Sequence, residues 1–578
     1  MARTETRSNI ALRCVICCSA LLLCLLGWSS PLFGDWRDDV GFSKLVSVLG
    51  TAAPNGAGVP ISLVEAENGS SRYFPNTASE EFGSASDPLG IAVAFIDGSG
   101  GQSEGVSSHA NGQANNFFGN TTSAAPAANQ VTVYEANEYM DNVLNLKDSD
   151  RVLPDPQNFR VQNFSWIGSF ATDINNPTTT ELNTDREALR RFDFAINADN
   201  ITALVGLNNI ESPLPHLLGH SYNSIAVGRS DGTHSSGLTH LADYGIGRSK
   251  PDLVVPQTSS SAATSSASSS VTYLHSSDTV LGTDAAKSET MKALLLAGAT
   301  KNEFAEWSQI DSGGQWHPLD DTYGAGELNL YNSYLVTLGG QAAGRTTMPT
   351  HAASHGWDYQ VIQPGTGNKL LYDFVIPHGS VAEELSIVLA WNAFIEAPFD
   401  SSDPVLADLQ LELVDNNGIT IDLNLDDGAL LDGLSNSLVD NVEHLYLTDL
   451  SSGTYTLKVS SNDLASDFGL AWRTSTLLET PTADFDEDGD TDGVDFFAWQ
   501  RGFGTLINAT HADGDADGDG DVDTDDLGIY RSELAIGAPS LSSSLLAVPE
   551  PASWFLVGAG LLLTLALRSY HSRTGINL

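Results

Sequence analysis

The sequence predicts an α/β protein: a doubly wound parallel sheet, then an antiparallel β-sandwich, then a small EF-hand-like pair of helices. Three observations lead there. Over the first 340 residues, short apolar runs alternate with stretches of helical period, which argues for parallel strands covered by helices on both faces. From Gly356 to Arg473 the pattern becomes alternating strands separated by Asn-Gly and Ser-Gly turns. From Asp484 to Asp526, two Asp/Gly loops in matching register each run into a short apolar segment. A chain of 578 residues is too long for one core, so several folded units are expected.

At the start, Arg3, Arg7 and Arg13 precede an apolar run from Cys14 to Leu26. This is the order of a secretion signal, expected to occupy residues 1–34 and to direct export. All four cysteines (Cys14, Cys17, Cys18, Cys24) lie inside it. The exported chain is therefore expected to use neither disulfides nor a thiol nucleophile.

In "GAGVPISLVEAENG" (56–69) a Gly-rich turn leads into an alternating strand that ends on the carboxylate of Glu65. "GVSSHANGQANNFFG" (105–119) opens a small-residue stretch with His109. "NITALVGLNNIESPLP" (200–215) is a buried-type strand running into Asn208 and Asn209. In "TDREALRRFDFAIN", Leu189, Phe192 and Ile196 stand at helical spacing. The tract "KPDLVVPQTSSSAATSSASSSVTYLH" (250–275) has the composition of a Ser-rich linker. Yet Ala263, Ala267, Val271 and Leu274 recur at helical spacing, and no Gly or Pro interrupts residues 257–281. A helix buried against the sheet is the expectation, and a serine at its N-terminus would gain from the backbone N–H groups and dipole.

The chain order acid, His, Asn, Ser resembles that of the subtilisin-like serine peptidases, as do "NFSWIG", "YNSIAVGRSDG", "MKALLLAGATK" and "DTYGAGELNL". The likeness spans roughly residues 41–340. It implies a subtilisin-like fold, with His109 as general base, Glu65 as its orienting carboxylate, Asn208 as oxyanion donor and Ser261 as nucleophile. The sequence departs from the family's Gly-Thr-Ser-x-Ala-x-Pro signature, reading Ser259-Ser260-Ser261-Ala262-Ala263-Thr264-Ser265. Ser259 and Ser260 therefore stay candidates. Asp97 in "AVAFIDGSG" is the rival acid, although only 12 residues separate it from His109.

Behind this unit, residues 356–475 read as a sandwich. "VDNVEHLYL" with "GTYTLKV" resembles the jelly-roll domain that follows the catalytic unit in some subtilisin-like peptidases. Trp391 and Trp472 read as its core. His216 with His220, and His351 with His355, have a four-residue spacing too weak by itself to imply zinc.

In residues 482–535, the loop "DFDEDGDTDGVD" sets Asp484, Asp486, Asp488, Asp492 and Asp495 at positions one, three, five, nine and twelve, with Asp490 at seven. "DADGDGDVDTDD" repeats this with Asp515, Asp517, Asp519, Asp523 and Asp526, and Asp521 at seven. Alternating oxygens around a Gly at position six suit calcium. The following Phe496, Phe497, Trp499, Leu527 and Tyr530 are expected to pack between two helices. The pair resembles the dockerin repeat, which implies docking to a cohesin-like partner. The net charge of −47 argues against nucleic acid or anionic lipid as partners.

A spacer (536–547) leads to the tail at 548–573, where Val548-Pro549-Glu550-Pro551 precedes an apolar stretch from Trp554 to Leu567 and then Arg568 and Arg573. Fourteen helical residues rise only about 21 Å, short of a bilayer's roughly 30 Å core. The tail resembles the PEP-CTERM sorting signal of Gram-negative bacteria. This implies processing by an exosortase-like enzyme near Pro549, Glu550 and Pro551, transient membrane contact, and a final place at the cell envelope, cell surface or extracellular matrix. The sequence thus leads to an exported endopeptidase acting on protein or peptide. The alternative is an inactive protein of the same fold, used for surface or matrix binding with calcium-dependent assembly.

Overall fold

The structure, a computed structural model, describes residues 35–67, 72–83, 92–100, 105–173, 176–242, 244–311, 313–423, 432–478, 481–486 and 491–537. The N-terminal apolar segment, Asp488, Asp490 and the tail with Pro549, Glu550 and Pro551 lie outside these residues.

Seven parallel strands make the first sheet: β1 (Ile61–Glu65), β2 (Ala94–Asp97), β3 (Gln130–Glu135), β4 (Val161–Phe164), β5 (Thr202–Gly206), β6 (Ile225–Arg229) and β9 (Leu253–Val255). Their order is β2-β3-β1-β4-β5-β6-β9. β7 (Gly237–Leu238) and β8 (Ser249–Lys250) form a separate antiparallel ribbon. All of β1, β4 and β5 is buried, as expected of strands covered on both faces, and Ser62, Gln162 and Asn163 are buried with them.

The helices of eight or more residues here are α1 (Phe42–Leu49), α2 (Ser108–Phe118), α3 (Thr179–Asp199), α4 (Ser260–His275), α5 (Ser288–Gly298) and α6 (Leu330–Gly339). The Ser-rich tract is α4, and nearly all of it is buried. Several of its Ser and Thr hydroxyls are satisfied by bonding back one turn: Thr264 to the Ser260 carbonyl at 2.7 Å, Ser268 to Thr264 at 2.9 Å and Thr272 to Ser268 at 2.8 Å. Small residues let this helix lie close to the sheet.

The second unit comprises β10 (Thr350–Ala352), β11 (His355–Ile362), β12 (Leu370–Ala390), β13 (Leu409–Val414), β14 (Leu434–Ser435), β15 (Val442–Ser461) and β16 (Ser466–Leu478). They run in the order β11-β16-β12-β15-β13-β14, with β10 added on β12. The pairs are antiparallel except β10 with β12. The long strands break register between Ile376 and Val381 and between Ala382 and Glu384. Such irregularities bend a strand, so one continuous sheet folds over a core that contains Trp391 and Trp472.

α5 joins the two units. Every one of its residues is buried. Leu294, Leu295 and Leu296 share a cluster with Val388, Ala390, Val442 and Ala471 from the antiparallel sheet. At Gly469 the approach is so close that an added Cβ would lie 2.3 Å from the Thr290 Cα.

At the C-terminal side, α7 (Gly493–Gly502) and α8 (Thr524–Gly537) enclose a small core of Phe485, Trp499, Val522 and Tyr530, with Phe496 and Leu527 against it. Phe497 departs from the expectation. It is 61% exposed, because it lies on the opposite face of α7 from Phe496 and Trp499. Between the two loops, Leu506 and Ile507 pack against the core of the first unit. Among the described residues no helix is long and apolar enough to cross a membrane.

Candidate active site

The carboxyl ends of parallel strands are where an open α/β sheet presents its chemistry. Glu65 ends β1 there, fully buried. His109 lies in the first turn of α2, whose N-cap Ser107 accepts from the Ala110 N–H at 3.2 Å. His109 Nδ1–H donates to Glu65 Oε2 at 2.6 Å. The His109 side chain is 41% exposed, and its Nε2 lies 3.5 Å from Gln113 Nε2. Glu65 Oε1 makes no hydrogen bond. Burial raises the Glu65 pKa, and the bond from His109 opposes that rise. The same bond raises the His109 pKa, against a smaller effect of burial.

The other acid, Asp97, ends β2. Its carboxylate accepts from the Tyr73 hydroxyl at 2.5 Å and from the Ser99 and Gly100 N–H groups at 3.1 and 2.8 Å. Those bonds shape its own turn.

α4 packs beside α2. Gln113 lies one turn after His109, Ser265 lies one turn after Ser261, and Ser265 Oγ donates to Gln113 Oε1 at 2.7 Å. The second turns of the two helices are thus in contact. The three candidate serines differ in what their hydroxyls do. Ser259 caps α4, accepting from the Ala262 N–H at 3.2 Å. Ser260 is buried and donates to the Leu207 carbonyl and to Asn209 Oδ1. Ser261 is partly exposed and donates to the Ser165 carbonyl at 3.2 Å. Of the three, only Ser260 is tied by a buried bond; the bonds of Ser259 and Ser261 are part-buried.

Asn208 follows β5. Its N–H donates to Ser235 Oγ at 3.0 Å, its Oδ1 accepts from the Asn209 N–H at 2.8 Å, and its Nδ2 reaches Ser212 Oγ only at 3.5 Å. The side-chain amide keeps donor capacity. Asn209 instead fixes the start of α4, accepting from the Ser260 N–H at 2.7 Å.

Sequence reasoning missed Gln113, Ser165 and Ser265. The one available signal was their spacing: Gln113 and Ser265 stand four residues beyond the predicted base and nucleophile.

In the acidic loops, oxygens of Asp484, Asp486 and Asp495 converge within 4.8 Å, as do those of Asp515, Asp517 and Asp519, and separately those of Asp521, Asp523 and Asp526. The second loop thus holds its carboxylates as two groups. Both loops use position twelve alike. Asp495 accepts from the Phe485 and Asp492 N–H groups, and Asp526 from those of Ala516 and Asp523, each at 2.7 Å. Asp492 also caps α7. Burial, reinforced by carboxylate repulsion, pushes Asp517 up to about 7 and Asp521 up to about 8. A donor set of hard oxygens held against its own repulsion fits calcium.

The histidine pairs are not helical metal grips. His220 Nδ1–H donates to the Pro215 carbonyl at 2.8 Å, and its Nε2 accepts from the His240 N–H at 3.3 Å. His351 and His355 lie on β10 and β11.

No protein-family description matches the chain, and no curated protein matches it in sequence. Solved structures do match. The prenylagaramide maturation protease PagA is 16% identical with a TM-score of 0.32, covering 51% of this chain and 98% of its own. A serine protease of Aeromonas sobria is 13% identical with a TM-score of 0.29, covering 74% of this chain and 89% of its own. A cold-adapted subtilisin-like serine proteinase is 16% identical with a TM-score of 0.27, covering 46% and 89%.

Proposed function

We propose that the chain is an exported serine endopeptidase of subtilisin-like type, in which Ser261, His109 and Glu65 act as the triad and Asn208 as an oxyanion donor. The observation that carries this reading is the buried Glu65 carboxylate 2.6 Å from His109 Nδ1, on a helix packed beside the one that starts at Ser260. Glu65 holds the proton on Nδ1, which leaves Nε2 as the basic lone pair. Ser261 turns its hydroxyl from the Ser165 carbonyl to that lone pair and attacks the peptide carbonyl as His109 takes its proton. Glu65 stabilises the resulting imidazolium. The Asn208 amide and the Ser261 N–H hold the developing oxyanion, the neighbouring Ser260 and Ala262 N–H groups being engaged by Asn209 and Ser259. His109 then returns its proton to the leaving amine, and water repeats the sequence on the acyl-enzyme.

In the same reading, Asp484, Asp486, Asp488, Asp490, Asp492 and Asp495, with Asp515, Asp517, Asp519, Asp521, Asp523 and Asp526, hold calcium, which neutralises the loops and rigidifies the helical pair. The tail brings the protein to an exosortase-like enzyme at the envelope, and the helical pair offers a surface to a cohesin-like partner.

Labelling with a serine-directed fluorophosphonate, followed by peptide mapping, tests the assignment. The expected result is modification of Ser261, lost in His109→Ala. Folded, calcium-loaded protein that resists labelling would instead favour an inactive surface-binding protein.

A further inference from the structure

A cavity of about 1130 Å³ begins at Asn208 and runs between the segment 211–216 and the β7 region. Its chemistry is uneven. At the rim stand two carboxylates. Asp231 is engaged by Arg229, whereas Glu211 is exposed and forms no ion pair with any described residue. The wall includes Tyr323, stacked on Phe304 at 4.1 Å, and the apolar Leu214. At the floor, His216 is buried and turns Nδ1 toward the fully buried Asp185, 3.6 Å away. That approach leaves Nδ1 without a hydrogen bond to any described residue. His240 packs edge-on to His216, with ring centroids 5.5 Å apart. The cavity therefore offers at its rim a carboxylate that forms no ion pair among the described residues, and an aromatic face along its wall.

We propose that this cavity takes a cationic side chain, arginine or lysine, of the residue that bears the scissile carbonyl, with Glu211 as the specificity-determining residue. The proposal rests on the peptidase reading, because Asn208 relates the cavity to the reacting carbonyl. An oxygen held by the Asn208 amide puts the side chain of its own residue at the cavity mouth. A long stem lies along Leu214 and Tyr323, where the cation also meets a ring face. Its N–H donors reach the Glu211 carboxylate at the rim. A purely apolar side chain would fill the same space without engaging that carboxylate, and the charge-assisted bonds would be lost.

The test is a set of fluorogenic peptides identical except at that residue: arginine, its neutral isostere citrulline, lysine, norleucine and phenylalanine. Arginine should exceed citrulline, and lysine exceed norleucine, by about 10-fold or more in kcat/KM, as expected for hydrogen bonds to a charged group. Glu211→Gln, at an exposed position, should collapse the arginine-to-citrulline ratio toward one. Equal cleavage of arginine and citrulline, or a preference for phenylalanine, would overturn the proposal and leave the peptidase reading intact. Absence of both turnover and fluorophosphonate labelling would mark failure of the peptidase reading instead. The cavity is then judged by fluorescence anisotropy of the same peptides on Ser261→Ala. A retained arginine preference supports the proposal, and equal affinity for arginine and citrulline overturns it.

Discussion

Replacing Glu65 by Gln tests the site most directly, because the change keeps shape and removes one charge. Glu65 is fully buried and its Oε2 bond to His109 is the dominant cause of that imidazole's raised pKa. With an amide in its place, only burial remains to act on His109, and burial favours the neutral ring. Two changes follow together. The imidazolium of the transition state loses its counter-charge, and the amide can donate to Nδ1 and drive the proton to Nε2, where it blocks the base. The comparable change in another triad costs about 10⁴ in kcat, or ~5.5 kcal/mol at ~1.36 kcal/mol per decade. The acid limb of the pH–rate profile should lie above 6.5, the ordinary histidine value, in the native protein, and move down in the variant. Because both groups have raised pKa values in the folded state, their contribution to stability is fullest at low pH and falls as pH rises through those values. The substitution itself should change the melting temperature little. It removes a buried charge whose Oε1 has no hydrogen bond, while the unpaired amide adds a penalty of about 1–3 kcal/mol. The assay is kcat/KM against pH on one fluorogenic peptide, with a thermal melt of each protein. A folded Glu65→Gln variant with undiminished kcat, or with its acid limb moved upward, would refute the reasoning.

Ser261→Ala should abolish fluorophosphonate labelling with an unchanged melt. Ser260→Ala should lower the melting temperature instead, because its buried hydroxyl bonds Leu207 and Asn209. Asp252, fully buried between the Lys250 and Lys292 ammonium groups at 2.7 and 3.1 Å, keeps two interior cations paired. Asp252→Asn should cost about 3–5 kcal/mol in chemical denaturation, the usual price of breaking a buried ion pair. Calorimetric titration of the full chain with calcium should saturate near two ions, and Asp526→Ala should remove about one by the ligand arithmetic of the loop. A full chain that takes up no calcium would leave the loops as an acidic surface only.

What the sequence could disclose was set by the range of the interactions involved. Period and chain order are local or one-dimensional, so the parallel sheet, the buried character of α4 and the pairing of Glu65 with His109 were all readable. The Gln113–Ser265 bond spans 152 residues and depends on how two helices lie side by side, which no pattern within either helix encodes. Phe497 was misread for a related reason. Two adjacent aromatics on a short helix cannot both face one partner, and composition alone does not say which turns outward. The alternation from Gly356 onward disclosed which face of each strand is apolar. It did not disclose that β12 and β15 are long enough to bend and close the layers as one sheet.

The burial of α5 has an evolutionary consequence. A module that trades between proteins needs a boundary that can be cut without exposing a core. Here one helix, α5, belongs to the core of the first unit and is covered by the antiparallel sheet, with Gly469 pressed against Thr290 too closely to admit a methyl group. Neither half could be acquired, lost or exchanged alone without opening a large apolar scar on the other. The two sheets are therefore expected to be inherited together and to diverge in step. Insertions and replacements should be tolerated instead at the exposed turns away from this seam.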